Sequence, residues 1–243
     1  MREAFFMPHL GLGDHIICNG MIRNLRKSYD IVHMPVKTHN LLNVRDMLRD
    51  DPGIELIEVT GDAQALKYLG MFKARVDAIV GVGQYGAAFL KESKSFDESF
   101  YKQVGIPHDL RWEEFKYVRD EVKENKVLEL ASLPEKYIFV HDDINRDYVI
   151  DSAHFPTNID VYRPAHNFGE LCETTLFHYG KIIERATEVH CIDSSFACYV
   201  EHLDCSQVER LVLHRYVKQK KEFNTDDKNH PFFPQYRQNW DII

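Results

Sequence analysis

The sequence predicts an α/β protein made of two lobes with mostly parallel sheets. Three observations carry that expectation: short apolar runs alternate with amphipathic stretches over residues 1–82, the alternation stops across a charged helical stretch at 96–130, and it resumes after Pro134. Strands that alternate with helices pair in parallel, because a crossover of helix length brings the chain back to the same edge of its sheet.

Residues 3–10 form an apolar run that ends in a glycine loop, and Ile16, Ile17, Gly20, Met21, Ile22 and Leu25 follow at helix-compatible spacing. Strands at 30–36, 54–59 and 76–82 then alternate with helices at 40–48 and 63–72. The fourth strand runs into Gly81, Gly83 and Gly86, which places a glycine loop at the carboxyl edge of the sheet. Helices at 96–104, 112–118 and 122–130 are expected to join the lobes. In the second lobe, strands at 137–141, 188–192 and 209–214 alternate with helices at 176–186 and 196–203. The last stretch, with Pro231, Phe232, Phe233, Pro234, Tyr236 and Trp240, reads as an apolar tail packed across the body. The expected divisions are 1–133, 134–225 and 226–243, and no repeat of fixed period is present.

Composition narrows the function. The chain has 243 residues, 44% of them apolar and 12% aromatic, enough to offset the entropy of ordering, so it is expected to fold. Its apolar runs fall far short of the ~20 residues of a membrane helix. One basic residue and a brief apolar stretch broken by Pro8 do not make a signal peptide, so a cytoplasmic location is expected. Cys18, Cys172, Cys191, Cys198 and Cys205 form an odd set with no CxxC pair, which suits reduced thiols. The formal charge of −8 weighs against nucleic acid as a partner. Arg210, His214, Arg215, Lys218, Lys220 and Lys221 are a local exception, read either as a site for an anionic ligand or head group or, more simply, as a solvated strand end and loop.

The first candidate motif is Gly11-Leu12-Gly13-Asp14-His15, between the first strand and the first helix. Gly11 and Gly13 let backbone approach a ligand such as a diphosphate, and free N–H groups at a helix start favour an anion. The loop lacks the third glycine of a dinucleotide fingerprint, because Ile16 occupies that position, and it lacks the Lys-Ser/Thr ending of a P-loop. Asp14 reads either as a helix cap or as a general base that takes a proton from an attacking hydroxyl. His15 is a candidate contact to the acceptor.

The second motif is Cys191-Ile192-Asp193-Ser194-Ser195-Phe196, again strand, loop, helix. Two hydroxyls and free backbone donors suit a diphosphate, although a serine cap accounts for them equally well. No GxSxG elbow surrounds either serine.

Gly11-Leu12-Gly13-Asp14, followed by Asn19-Gly20-Met21-Ile22-Arg23-Asn24-Leu25 and by the late Ile192-Asp193-Ser194-Ser195 before a helix, resembles the ADP-heptose glycosyltransferase (heptosyltransferase) family. The resemblance implies a compact GT-B-like fold of two Rossmann-like lobes, a nucleotide sugar held mainly by the second lobe, an acceptor held by the first, and no obligatory metal. By position, Asp14 resembles the family's catalytic base, and Asp193, Ser194 and Ser195 resemble its donor-contacting loop. Ser195 stands where the family usually has glycine, so heptose itself is not implied.

Other residues extend the expected site. Arg146, after the first strand of the second lobe, is either a surface arginine or a partner for a leaving diphosphate. Asp142 and Asp143 do not form a DxD metal motif, and no metal site is expected. Gln84 and Tyr85 in the glycine loop are candidate acceptor contacts, and Glu170 a candidate for a sugar hydroxyl. The expected activity is transfer of a sugar from a nucleoside-diphosphate sugar to a glycan or other hydroxyl acceptor, inverting and with no cofactor required. A two-lobed nucleotide-sugar epimerase or hydrolase, or a non-catalytic nucleotide-binding protein, is the alternative.

Overall fold

A computed structural model describes residues 1–83, 92–164 and 174–243. Two compact units emerge, Met1–Val118 and Arg119–Ile243. In the first, the strands are β1 (Glu3–Met7), β2 (Ile31–Lys37), β3 (Ile54–Val59) and β4 (Ala78–Gly81). The helices are α1 (Leu12–Ile17), α2 (Asn19–Arg26), α3 (Leu41–Leu48), α4 (Asp62–Phe72), α5 (Phe96–Gln103) and α6 (Leu110–Glu113). The sheet order is β3-β2-β1-β4, all parallel. β1 and β2 are buried along nearly their whole length, as expected of parallel strands covered on both faces, whereas the edge strand β3 is buried only at its ends. Phe5, Met7, Leu10, Val59, Ala65 and Leu69 form a core cluster against the sheet.

The second unit begins with α7 (Glu121–Ala131) and carries β5 (Tyr137–His141), β6 (Asp160–Tyr162), α8 (Gly180–Glu184), β7 (Glu188–Cys191), α9 (Ser195–Val200), β8 (Arg210–Leu213), α10 (Tyr216–Lys218) and β9 (Trp240–Ile242). Its five parallel strands lie in the order β6-β5-β7-β8-β9. The sheet thus follows a different doubly wound order from the first, but obeys the same rule. Each has one point where successive crossovers depart in opposite directions, at β1/β4 and at β5/β7, and ligands of such sheets bind outside the carboxyl ends of those strands.

Four sequence expectations need correction. The division falls after Val118, not after 133, because α7 belongs to the second unit. Arg119 there bonds Glu124 and, at 2.9 Å, Glu184 Oε2, while the Lys181 amide donates to Glu124 at 3.1 Å. The helix expected at 112–118 ends at Glu113. Side chains take over the backbone beyond it: Asn19 exchanges two hydrogen bonds with Lys116 at 2.9 and 3.0 Å, and Arg49 donates to the Val118 carbonyl at 2.6 Å. The three-residue strand β6 had no expected counterpart. Finally, the tail supplies β9, in register with β8 from Leu211↔Trp240 to Leu213↔Ile242.

In the basic stretch at 210–221, Arg210, His214 and Arg215 are tied into the fold and are not a simple solvated strand end and loop. Arg210 bonds Asp241 at 2.7 Å, and buried Arg215 donates to the Lys228 and Pro234 carbonyls. His214 is buried and lies 2.9 Å from His190, whose other ring nitrogen lies 2.9 Å from Glu188. Burial first, then the neighbouring histidines and Arg210, hold His214 down to about 3. Among the described residues, no helix is long and apolar enough to cross a membrane.

Glu201, at the end of α9, fixes the tail. Its carboxylate accepts from the amides of Arg237 and Gln238, at 2.5 and 3.2 Å, and from Trp240 Nε1 at 2.7 Å. Glu201→Ala leaves three donors without that acceptor, and is expected to cost about 1–3 kcal/mol. Urea denaturation measures the loss, and hydrogen exchange should speed up first at residues 237–243.

Candidate functional site

In the first unit, the carboxyl end of β1 leads through His9, Leu10 and Gly11 into α1. Gly11 is the N-cap of α1, and Asp14 is the third residue of the helix. Asp14 Oδ2 lies 2.7 Å from His9 Nδ1 and 3.2 Å from the Gly11 amide, which donates to it. A Cβ at Gly11 would stand 2.5 Å from that oxygen, so the carboxylate keeps its place only because residue 11 has no side chain. The Asn40 amide donates to the Leu10 carbonyl at 3.1 Å and fixes the turn from below. Asp14 therefore does act as a cap, but through a carboxylate that also holds an imidazole.

His9 is a residue of this turn that sequence reasoning misses. Its side chain is 55% exposed against 15% for Asp14. Its pKa is raised above the ordinary 6.5, chiefly by the hydrogen bond to Asp14; burial opposes this, the Asp14 and Asp62 charges add to it, and Lys37 subtracts. The ring rests against Gly83, whose φ of +87° suits a residue without Cβ and whose amide donates to Gln103 at 2.9 Å. The signal available in the sequence is His9 and Asp14 flanking a Gly-x-Gly turn, which lets residues five apart close on each other.

His15 departs from its expected role. It is 2% exposed, and neither ring nitrogen has a hydrogen-bond partner among the described residues. Burial, followed by the charges of His9 and Lys37, holds it neutral with a pKa of about 3. A buried neutral ring is core, not an acceptor contact. Asn19 and Arg23, within the segment that resembles the heptosyltransferases, are structural as well: Arg23 pairs with Asp50 at 2.6 Å and bonds the Lys116 carbonyl at 3.0 Å. Gln84, Tyr85 and Gly86, together with Glu170 and Cys172, lie outside the described residues.

In the second unit, the ends of β5 and β7 bring His141 and Ser194 together, with Ser194 Oγ 3.0 Å from His141 Nδ1. Ser194 stands at the N-cap of α9 but makes no side-chain cap bond, so its hydroxyl is turned to the loop of the neighbouring strand. The His141 ring lies over Phe196 with centroids 4.2 Å apart. Asp193 is buried, and burial raises its pKa against the pull of Arg215, Lys218 and Tyr236. Arg215 Nε lies 3.4 Å from its carboxylate, so Asp193 braces the loop from inside, while Ser194 and Ser195 are partly buried.

Arg146 bonds Asp143 at 2.6 Å and lies over Tyr148. Burial would raise Asp143, but Arg146 outweighs it and holds the carboxyl below its usual range. Lys218 and Lys221 approach the same ring, so three cations lie within 6 Å of the Tyr148 centroid: 5.2 Å for Arg146, 5.7 Å for Lys218 and 5.4 Å for Lys221. Lys218 also donates to the Asp193 carbonyl, which links this cation group to the Ser194 loop. Asp142 accepts from Arg163 at 3.1 Å and from the Ile150 amide at 3.2 Å. Among the described residues there is no group of three or more His, Cys, Asp or Glu side chains able to hold a metal ion.

Solved structures that resemble the chain over its whole length include two glycosyltransferases. One is the glycosyl transferase family 9 protein from Veillonella parvula, with a TM-score of 0.54 at 10% identity, matched over 100% of this chain and 86% of that one. The other is the E. coli ADP-heptose lipopolysaccharide heptosyltransferase II, with a TM-score of 0.50 at 12% identity over 100% and 90%. No family model matches the sequence, and the curated proteins gave no match. At these identities the likeness is one of fold. The α/β architecture of two parallel sheets, GT-B-like as the sequence resemblance implied, is the architecture found.

The buried His15 ring gives a pH prediction. Its folded pKa of about 3 lies below the ordinary 6.5, so between those values the unfolded chain binds a proton that the folded chain does not, and stability falls with acidification. His15→Phe removes that linkage. The urea midpoint of the variant should therefore gain on wild type as pH drops from 7.5 to 5, and a constant difference would contradict the assignment.

Proposed function

We propose that the chain is a glycosyltransferase that moves a sugar from a nucleoside-diphosphate sugar to a hydroxyl of a glycan or other acceptor, with inversion and without an obligatory metal. The observation that carries the reading is the Asp14 carboxylate, held by His9 and the Gly11 amide at the carboxyl end of β1, where a doubly wound sheet binds its ligand. Inverting transfer needs one group to accept the proton of the attacking hydroxyl, and removal of that proton depends on Asp14 in this reading. The full-length likeness in fold to two glycosyltransferases supports it.

The two units take the roles the sequence resemblance implies: the first receives the acceptor and the second holds the donor. In the donor unit, Arg146, with Lys218 and Lys221 around Tyr148, meets the negative charge of the diphosphate. Ser194 and Ser195 supply hydrogen bonds to its oxygens. The backbone at Gly11 and Gly13 is open to close approach by the donor. Asp142 and Asp143 each have a guanidinium partner, Arg163 and Arg146, which favours charge neutralisation by side chains over a metal. The described thiols, Cys18, Cys191, Cys198 and Cys205, are free, in keeping with a cytoplasmic location.

Two measurements test the proposal. Thermal unfolding with ADP, UDP and GDP should show a shift for at least one, since saturation at 100 times Kd adds about 2.7 kcal/mol of stability. Release of nucleoside diphosphate from ADP-glucose, UDP-glucose and GDP-mannose, with a hydroxyl acceptor present, follows turnover. Asp14→Asn should lower turnover about 10²–10⁴-fold while donor affinity stays near normal. An unaltered rate removes Asp14 from the reaction, and an altered or free sugar without transfer favours an epimerase or hydrolase.

A further inference from the structure

The proposed transfer requires a base suited to neutral pH, and the geometry around Asp14 bears on which atom that is. Asp14 Oδ2 already accepts from the Gly11 amide and from His9 Nδ1, at the positive end of α1. That oxygen is therefore already engaged by two donors of the chain itself. His9 is different in each respect. More than half of its side chain is exposed, and Nδ1 is turned to Asp14. Gly83 backs the ring and Phe100 lies 6.1 Å away, so its orientation is fixed by more than one contact. Nε2 is then the nitrogen not turned to Asp14, and it has no hydrogen-bond partner among the described residues.

We propose that His9 Nε2 is the atom that receives the acceptor's proton, while Asp14 fixes the Nδ1–H tautomer and stabilises the imidazolium that forms. The inference rests on the transferase reading above. In the step, the acceptor O–H bond breaks, its proton passes to Nε2, and the oxygen forms a bond to the anomeric carbon. The bond from that carbon to the diphosphate oxygen breaks, and its electron pair leaves with the diphosphate. The division of labour is that of a carboxylate orienting an imidazole base. The charged and titratable groups facing His9 are Asp14 and His15 on α1, Asp62 on α4 and Lys37 on β2. Lys37 and Asp62 pair at 2.9 Å and largely cancel. Asp14 is left to set the sign, and the rate is expected to rise with pH as the imidazolium loses its proton.

The test reads His9 with and without turnover. Nitrogen-resolved NMR of the full chain should find the neutral ring protonated at Nδ1, with a titration midpoint that falls in Asp14→Asn. A ring protonated at Nε2, or a midpoint unmoved by that substitution, overturns the proposal. In the assay of nucleoside diphosphate release, His9→Gln should lose about 10²-fold or more, His9→Gly should recover part of its rate with added imidazole, and the alkaline-rising limb should vanish in both. If His9→Gln keeps wild-type turnover while Asp14→Asn does not, His9 is excluded and the transferase reading stands. If neither substitution changes turnover, both side chains are excluded from the reaction and the proton transfer assigned to His9 falls; if none of the three nucleotide sugars is turned over, the transferase reading falls with it.

Discussion

Parallel pairing is the constraint from which the rest of the molecule follows. When every strand of a sheet runs the same way, each carboxyl end opens on the same edge, and the loops that leave it are gathered whatever their distance in sequence. In the first unit this brings His9, Gly11 and Asp14 to the edge that also carries Gly83, through the alignment of Met7 with Gly81. In the second it brings His141 to Ser194, through the alignment of His141 with Cys191. The polar side chains at both edges are held by strand register before any contact of their own is counted.

The regularity ends where buried polar groups take over. Asp97 and Arg111 are fully buried and paired, with His108 Nε2 2.8 Å from the same carboxylate. Burial would raise Asp97, but Arg111 and His108 pull it to about 2. Removing one member of such a pair costs about 3–5 kcal/mol, because the other charge stays buried alone. Asn19 plays a similar part for backbone, making with its amide the two bonds that Lys116 would otherwise need from a helix or from water. These networks fix the irregular connections that propensity alone leaves undetermined.

This difference explains what was legible in the sequence. The main strands and helices were readable because burial on both faces of a sheet writes itself as apolar runs, and Gly11, Gly13 and Asp14 mark the turn that follows one of them. β6 and β9 are three residues each, too short for a period to show, and β9 is anchored by Glu201 some forty positions earlier. The segment after Glu113 looked helical because its composition is, but Asn19, almost a hundred residues away, decides otherwise. The same limit applied to the site. Asp14 stands out in the sequence beside Gly11 and Gly13, whereas the contact of His9 with it requires the turn to close, and nothing local signals that the ring of His15, expected to contact the acceptor, is enclosed.

The position of Arg119 has a bearing on how the second unit can be inherited or transplanted. Its guanidinium joins Glu124 to Glu184, so the helix that opens the unit is stitched to its interior by charge. A recombination joint placed at Pro134, where the sheet begins, would orphan Glu184 and strip α7 from the fold. A chimera cut at Val118 would carry its own clasp, and lineages that exchanged this half of the chain would be expected to have done so upstream of that arginine.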